Sequence, residues 1–225
     1  VEVLPQTAST NAVVAARSGE PAGLVVVAEE QTAGRGRLDR VWQSPPRAGL
    51  TFSVLLDPPA PVSWLPLWGG LAVARALREL AGLDAVVKWP NDVLVDGRKL
   101  CGLLAEVAGD RVVLGIGLNV TTRVDELPRP DATSVALAGA TTTDRDTLLR
   151  GVLRSLGAVL AEQPYDGYRA LCSTIGTVVR VTLPGDQVVS GVAEAVDDQG
   201  RLVVAGMAYA VGDVVHAGPR PVEGP

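Results

Sequence analysis

The chain has 225 residues, of which 47% are hydrophobic, and a net charge of −5 from 20 Lys and Arg against 25 Asp and Glu. That is enough apolar sequence for a substantial core in one large domain, or one large and one small, while the acidic balance excludes a general nucleic-acid surface, which needs clustered cations; DNA is not an expected partner. No stretch approaches the ~20 apolar residues of a membrane span, and the start Val1-Glu2-Val3-Leu4-Pro5 lacks the basic and apolar regions of a signal peptide, so a cytoplasmic protein with no membrane partner is expected. Cys101 and Cys172 stand far apart without a neighbouring His or Cys, the pattern of buried reduced thiols rather than of a zinc site or a disulfide framework.

In chain order, Thr7-Ala8-Ser9-Thr10-Asn11 precedes an Ala/Val-rich stretch, which is a helix N-cap signal and predicts a short helix starting near Asn11. Residues 23–29 (GLVVVAE) and 51–56 (TFSVLL) read as strands. The polar, Gly- and Pro-containing segment between them is long for a loop in a compact domain, and such loops are usually functional or disordered. Residues 66–80 have helical spacing and good helix formers, with Gly82 at a plausible stop. Strands follow at 85–89, 93–95, 100–107 and 111–119, punctuated by Pro90-Asn91-Asp92, Asp96-Gly97 and Gly109-Asp110. Helical character returns at 144–160 and 165–171, so the order of elements predicts an α+β fold. From about Ile175 only short strands remain, at 177–183, 188–196, 202–204, 207–209 and 214–216, which reads as a small barrel able to dock on the main domain. The expected boundaries are 1–174, 175–219, and a Pro- and Gly-rich tail at 220–225 expected to be disordered.

Several segments carry residues suited to chemistry. Gly34-Arg35-Gly36-Arg37 combines backbone that a ligand can approach closely with guanidinium groups that fork onto phosphate or carboxylate, and it reads equally as a solvated basic loop. It is not a Walker loop, because no Gly-Lys-Ser/Thr follows. Lys88-Trp89-Pro90-Asn91-Asp92 sets a cation, an amide and a carboxylate around a turn, an arrangement that can hold a metal nucleotide and that is also ordinary turn chemistry. Lys99 opens an apolar strand, where a charge needs a partner, a ligand, or a route to the strand edge. Gly115-Ile116-Gly117-Leu118-Asn119 ends a strand with room for a flat ring against the glycines and an amide at its edge, although strand glycines also mark close packing. His216 has no Ser, Cys or carboxylate pattern around it and reads as structural.

Together and in this order, Ser9-Thr10-Asn11, Gln31-Thr32-Ala33-Gly34-Arg35-Gly36-Arg37, Lys88-Trp89-Pro90-Asn91-Asp92, Lys99-Leu100-Cys101-Gly102 and Gly115-Ile116-Gly117-Leu118-Asn119 resemble the biotin protein ligases. The resemblance covers nearly the whole chain. It implies a class II synthetase-like catalytic domain followed by an SH3-like domain, with biotin and ATP as substrates and Mg2+ as activator. The implied reaction forms biotinyl-5'-AMP and passes biotin to a lysine of a biotin carboxyl carrier domain. By the same match, Ser9, Thr10, Asn11 and Gln31 bind the ureido head, and Gly34, Arg35, Gly36 and Gly102 close around biotin. Arg37 contacts the phosphates, and Lys99 bridges the biotin carboxylate and the α-phosphate. Arg40, Lys88, Asn91 and Asp92 serve the pyrophosphate and Mg2+, while Trp42, Gly115, Gly117 and Asn119 serve the adenine. Lys99, Arg37 and Asp92 are the candidate catalytic residues, with Asp92 also placed to orient the incoming lysine. Asp39 stands where relatives usually carry glycine, which restricts the loop and weakens its positive field. The signature begins at Ser9, so the N-terminal DNA-binding segment of some relatives is not expected, and an exposed sheet edge allows a monomer or a weak homodimer. Two other readings remain: a lipoate-attaching ligase with the same acyl-adenylate chemistry, and a non-catalytic biotin sensor.

Overall fold

The computed structural model describes residues 1–38 and 40–218; Asp39 and the 220–225 tail, both singled out by sequence, lie outside the described residues. The chain runs β1 (Glu2–Leu4), α1 (Thr10–Ala15), β2 (Val25–Ala28), β3 (Gly34–Arg35), β4 (Val41–Trp42), β5 (Gly49–Leu56), α2 (Leu65–Ala81), β6 (Val86–Lys88), β7 (Asp92–Val95), β8 (Arg98–Ala108) and β9 (Arg111–Asn119). It continues through α3 (Arg145–Glu162), α4 (Tyr165–Leu171), β10 (Val178–Thr182), β11 (Val188–Val196), β12 (Leu202–Val204), β13 (Met207–Tyr209) and β14 (Asp213–Gly218). Among the described residues no helix is long and apolar enough to cross a membrane.

Seven strands form one sheet in the order β1-β2-β5-β9-β8-β7-β6, with β1 and β2 parallel and the remaining neighbours antiparallel. The β7–β8 turn uses Asp96 and Gly97, both with positive φ, as a tight hairpin between right-twisted strands requires. Period-two alternation then gives the sheet two different faces. Leu50, Phe52 and Val54 of β5, with Leu114, Ile116 and Leu118 of β9, enter the main core beneath α2 and α3. Gly69 of α2 lets that helix approach the sheet, since a Cβ there would press on Leu103 and Leu114. The alternate residues Thr51 and Ser53, and Gly115, Gly117 and Asn119, face the other way, toward α1 and the long loop. A second, small cluster of Val14, Val26, Leu55 and Val113 anchors α1 on that face.

The sequence reading omitted β1, and it left 30–50 without regular structure, where the hairpin β3–β4 folds back on itself. Gly34 permits this hairpin, because a Cβ there would collide with the Trp42 carbonyl and meet Gln31 Nε2 at 2.7 Å.

The last five strands make an antiparallel sheet in the order β13-β12-β11-β10-β14, and a register shift between Ala193 and Ala195 lets β11 serve both halves. Its inner residues, including Val179, Val181, Ala193 and Leu202, belong to the same hydrophobic core as the larger sheet. Polar contacts fix the docking. Trp64 Nε1 donates to Asp198 O at 2.9 Å, Trp89 Nε1 to Gly200 O at 2.9 Å, and Arg169 Nε to Val196 O at 2.8 Å. Both cysteines are buried and free, and burial pushes the Cys101 thiol up.

Candidate active site

A cavity of about 490 Å³ opens on the α1 face of the large sheet, enclosed by the β3–β4 hairpin, the β6–β7 turn and the start of β14. Every residue nominated from sequence lines it except Gly34, which lies behind the wall and holds the hairpin.

One end is a network of mostly neutral hydrogen bonds. Ser9 caps α1, its hydroxyl accepting Ala12 N–H at 3.5 Å, so the cap sets the next two side chains against the sheet. Thr10 N donates to Gln31 Oε1 at 2.7 Å. The Ser53 hydroxyl lies 2.6 Å from Asn11 Oδ1 and 2.7 Å from Thr10 Oγ1, while Asn11 Nδ2 donates to Leu104 O at 3.3 Å and to Glu106 Oε2 at 2.6 Å. Gly115 is the complement of Asn11, since any Cβ there would collide with the amide oxygen.

The other end is ionic. Lys99 Nζ sits 2.6 Å from Asp92 Oδ1, with both side chains mostly buried, and 5.9 Å from the centre of the Trp42 ring. Lys99, expected from sequence to need a partner, has one. Arg37 Nη1 donates to Asn91 Oδ1 at 3.4 Å, and Asn91 is itself held by its Nδ2 donating to Leu103 O at 2.8 Å. Burial pulls the Arg37 guanidinium below its ordinary value, against the opposing attraction of Asp92 and Asp213. Lys88 is pulled down in the same way, again by burial and again opposed by Asp92 and Asp213. Arg40 forks onto Asp213 at 3.1 and 2.6 Å, a contact from the loop to the small sheet, and it holds the Asp213 carboxyl below the usual carboxylate range.

Trp42 lies between the two ends. A Cβ on Gly117 would collide with its indole and one on Gly102 would meet Cζ3 at 3.0 Å, so the flat ring resting against these glycines is the protein's own. Its Nε1 is buried against Gly117 and has no partner among the described residues. Asn119 Nδ2 donates to Thr133 O at 3.0 Å, tying the end of β9 to the segment that closes the cavity. That segment also brings Arg129 and Asp131, paired at 2.8 and 2.6 Å, with Asp131 O accepting Lys99 N–H at 2.8 Å. His216 Nε2 sits 3.2 Å from Thr174 Oγ1, which accepts Trp89 N–H at 3.0 Å; it fastens the small sheet to the turn that carries Asn91 and Asp92.

Sequence reasoning missed Asp213, Arg129, Asp131 and Thr51 in the wall, and Ser53 and Glu106 just behind it. For Ser53 and Glu106 a signal was present: a polar residue inside an apolar run, TFSVLL and LLAEVA, needs a buried partner. Asp213 carried no such signal, because Gly212-Asp213 reads as turn punctuation. Among the described residues no group of three or more His, Cys, Asp or Glu side chains converges as a metal site.

The family model for the "Biotin/lipoate A/B protein ligase family" matches residues 3–122, and that for the "Biotin protein ligase C terminal domain" matches residues 174–207. The biotin--[acetyl-CoA-carboxylase] ligase of Mycobacterium tuberculosis is 45% identical, covering 96% of this chain and 88% of its own. The bifunctional ligase/repressor BirA of Escherichia coli is 34% identical, covering 91% of this chain and 68% of its own. Among solved structures, the biotin protein ligase from Aquifex aeolicus in complex with biotin and ATP superposes with a TM-score of 0.81 at 28% identity, covering 95% of this chain and 96% of that one. With the sequence motifs, the fold and the relatives in agreement, the chain belongs to the biotin/lipoate A/B protein ligase family.

Proposed function

We infer that this protein is a biotin protein ligase, which activates biotin with ATP as biotinyl-5'-AMP and transfers it to a lysine of a biotin carboxyl carrier domain. The observation that carries this reading is a single cavity joining a hydrogen-bonding end, suited to a cyclic urea, to a cation-lined end suited to a polyphosphate. In the first step a biotin carboxylate oxygen attacks the α-phosphorus of ATP and pyrophosphate leaves. In the second, the carrier lysine amine attacks the acyl carbonyl, AMP leaves with the bonding pair, and the amine sheds its proton.

In this reading Ser9, Thr10, Asn11 and Gln31 hold the ureido head, with Gly34, Arg35, Gly36 and Gly102 supporting the enclosure. Lys99 bridges the biotin carboxylate and the α-phosphate, offsetting charge that gathers as two anions approach. Arg37, Arg40 and Lys88 take the phosphate oxygens. The pairing of Arg40 with Asp213 and of Lys99 with Asp92 supports this role, because an aspartate held by a cation at the surface of a cavity occupies the place that a ligand anion can take. Trp42 and Asn119 form the adenine wall, with Gly117 making room for the Trp42 indole and Gly115 for the Asn11 amide at the other end, and Asp92 orients the carrier lysine.

Mg2+ bound through phosphate oxygens, water and at most one or two carboxylates fits a wall with Asp92 and no dedicated carboxylate cluster among the described residues. When bound, it neutralises phosphate charge. The division into a catalytic domain at 1–174 and an SH3-like domain at 175–219 follows the change between the two sheets, and a cytoplasmic location matches the need for ATP.

The test is ATP-dependent transfer of labelled biotin to a purified carrier domain, with lipoate as competitor, in the wild type and in Lys99→Ala and Arg37→Ala. Transfer that lipoate does not suppress and that both substitutions reduce supports the reading. Preferential lipoate transfer, or biotin binding without pyrophosphate release, overturns it in favour of a lipoate ligase or a sensor.

A further inference from the structure

Glu106 interrupts the apolar strand β8 and lies on the same face as Gly102 and Leu104, its side chain 30% exposed. One carboxylate oxygen, Oε2, accepts from Asn11 Nδ2 at 2.6 Å and from Arg35 Nη2 at 3.1 Å, joining two motifs that are 95 and 71 residues away in sequence.

An asparagine side chain offers opposite chemistry at its two ends, and a half turn exchanges them. At Asn11 the choice is forced. Glu106 Oε2 and Leu104 O both lack a proton to give, so the NH2 group must face them. Asn11 Oδ1 is thereby turned against Gly115 and takes the Ser53 hydroxyl proton across 2.6 Å. Thr10 has one hydroxyl proton and two neighbours that can take it, Gln31 Oε1 at 3.1 Å and Ser53 Oγ at 2.7 Å, so that proton is spent inside the network. Thr10 and Asn11 are left with free lone pairs and no free protons. Of the groups that set this order, the Leu104 bond is long and the Ser53 hydroxyl can point either way, whereas the charge-assisted bond to Glu106 is short and one-directional.

We propose that Glu106 is a positioning residue for ligand selection: by holding Asn11 Nδ2, it fixes Asn11 Oδ1 as an acceptor beside Thr10, whose proton is spent on its neighbours, so that this end of the cavity takes a cyclic urea N–H and rejects an acceptor in its place. The inference rests on the reading of the cavity as a biotin site. The same carboxylate holds Arg35, so the strand that orients the amide also draws the loop toward it.

The experiment is calorimetric titration of the full chain with biotin and with the two cyclic carbamates in which one ureido N–H of biotin is replaced by ring oxygen. A site built around an N–H donor rejects the analogue lacking it by a factor on the order of 10⁴. Glu106→Ala frees the amide to turn, and the preference for biotin falls by about tenfold or more. Glu106→Gln retains an oxygen for Asn11 Nδ2 and loses only the charge opposite Arg35, so its preference stays within about fivefold of wild type. A purely structural role would weaken all three ligands alike and leave the ratio unchanged. An unchanged ratio in Glu106→Ala therefore overturns the proposal, as does a Gln variant that falls as far as Ala. If Glu106→Ala fails to melt cooperatively, Glu106→Thr, whose branched side chain suits a strand, carries the same expectation. Wild-type protein that binds no biotin overturns the biotin reading itself, before any substitution is made.

Discussion

The two ends of the cavity are built on opposite principles. At the Asn11 end, short hydrogen bonds join Asn11, Ser53, Thr10 and Gln31, and all but Gln31 are buried. At the Lys99 end, cations are paired with Asp92 and Asp213, partly exposed, and Arg37 and Lys88 are partly desolvated with opposing charges nearby. A saturated neutral network has a fixed order and suits recognition of a neutral head group by shape and proton pattern. Paired ions suit a ligand that brings its own charge, since a phosphate can replace a carboxylate on the same guanidinium or ammonium. One end is preorganised; the other is held ready by internal counter-ions.

The sharpest test of this contrast is Lys99→Ala. It removes the ammonium that the proposed function sets at the reacting carboxylate and leaves Asp92 without its partner, so pyrophosphate release falls by about 10²–10³-fold. Biotin affinity measured without ATP should fall far less, because only the carboxylate contact is lost and the Asn11 end is untouched; a loss of biotin affinity as large as the loss of pyrophosphate release would erase the distinction between the two ends. Next in size is Asn11→Ala, which leaves the Ser53 hydroxyl with Thr10 alone and the Glu106 carboxylate with Arg35 alone. Biotin affinity falls by about 10- to 100-fold with the KM for ATP unchanged, and a matching rise in that KM would show the ends to be coupled.

A smaller effect is expected at Asp213, which in the proposed function competes with phosphate for Arg40. Asp213→Asn lowers the KM for ATP by about fivefold or less and leaves the KM for biotin alone, as steady-state kinetics would read; a raised KM would show that Asp213 serves the nucleotide directly. The pair also has a pH signature. Because Arg40 depresses the Asp213 carboxyl, the contribution is present above the unfolded value of 3.8 and is lost as pH falls through the lower folded one.

The smallest effect is expected at His216, the chain's single histidine. Burial, with help from Lys88, lowers its value below the ordinary 6.5. Between the folded value and 6.5 the unfolded chain binds more protons, so stability rises with pH across that window and is fully present above it. His216→Gln flattens this slope in urea melts between pH 5 and 7 at roughly the scale of one titrating group, and an unchanged slope would remove the histidine from the docking of the small sheet.

Much of the site was legible before folding was considered. Gly34-Arg35-Gly36-Arg37, Lys88 to Asp92 and Lys99 are chemically unusual for their positions, and the glycines of β9 stand out in an apolar run; all but Gly34 reach one cavity wall. Less legible was the division of labour among the glycines, because Gly115 makes room for Asn11 and Gly117 for Trp42, side chains from distant parts of the chain.

By itself the sequence determined the α+β character, the order of the helices and of the strands other than β1, β3 and β4, the change to short strands near Thr174 and the residue types of the site, since these follow from periodicity, turn residues and local motifs. Only the tertiary structure decided that β1 pairs with β2, that Asp213 of the small sheet neutralises Arg40 of the loop, and that Glu106 sets the proton order of Asn11. The physical reason is separation. Periodicity and turn signals act over a few residues, whereas the 2.6 Å bonds of Arg40 with Asp213 and of Asn11 with Glu106 join residues 173 and 95 positions apart, a partnership that local pattern does not encode.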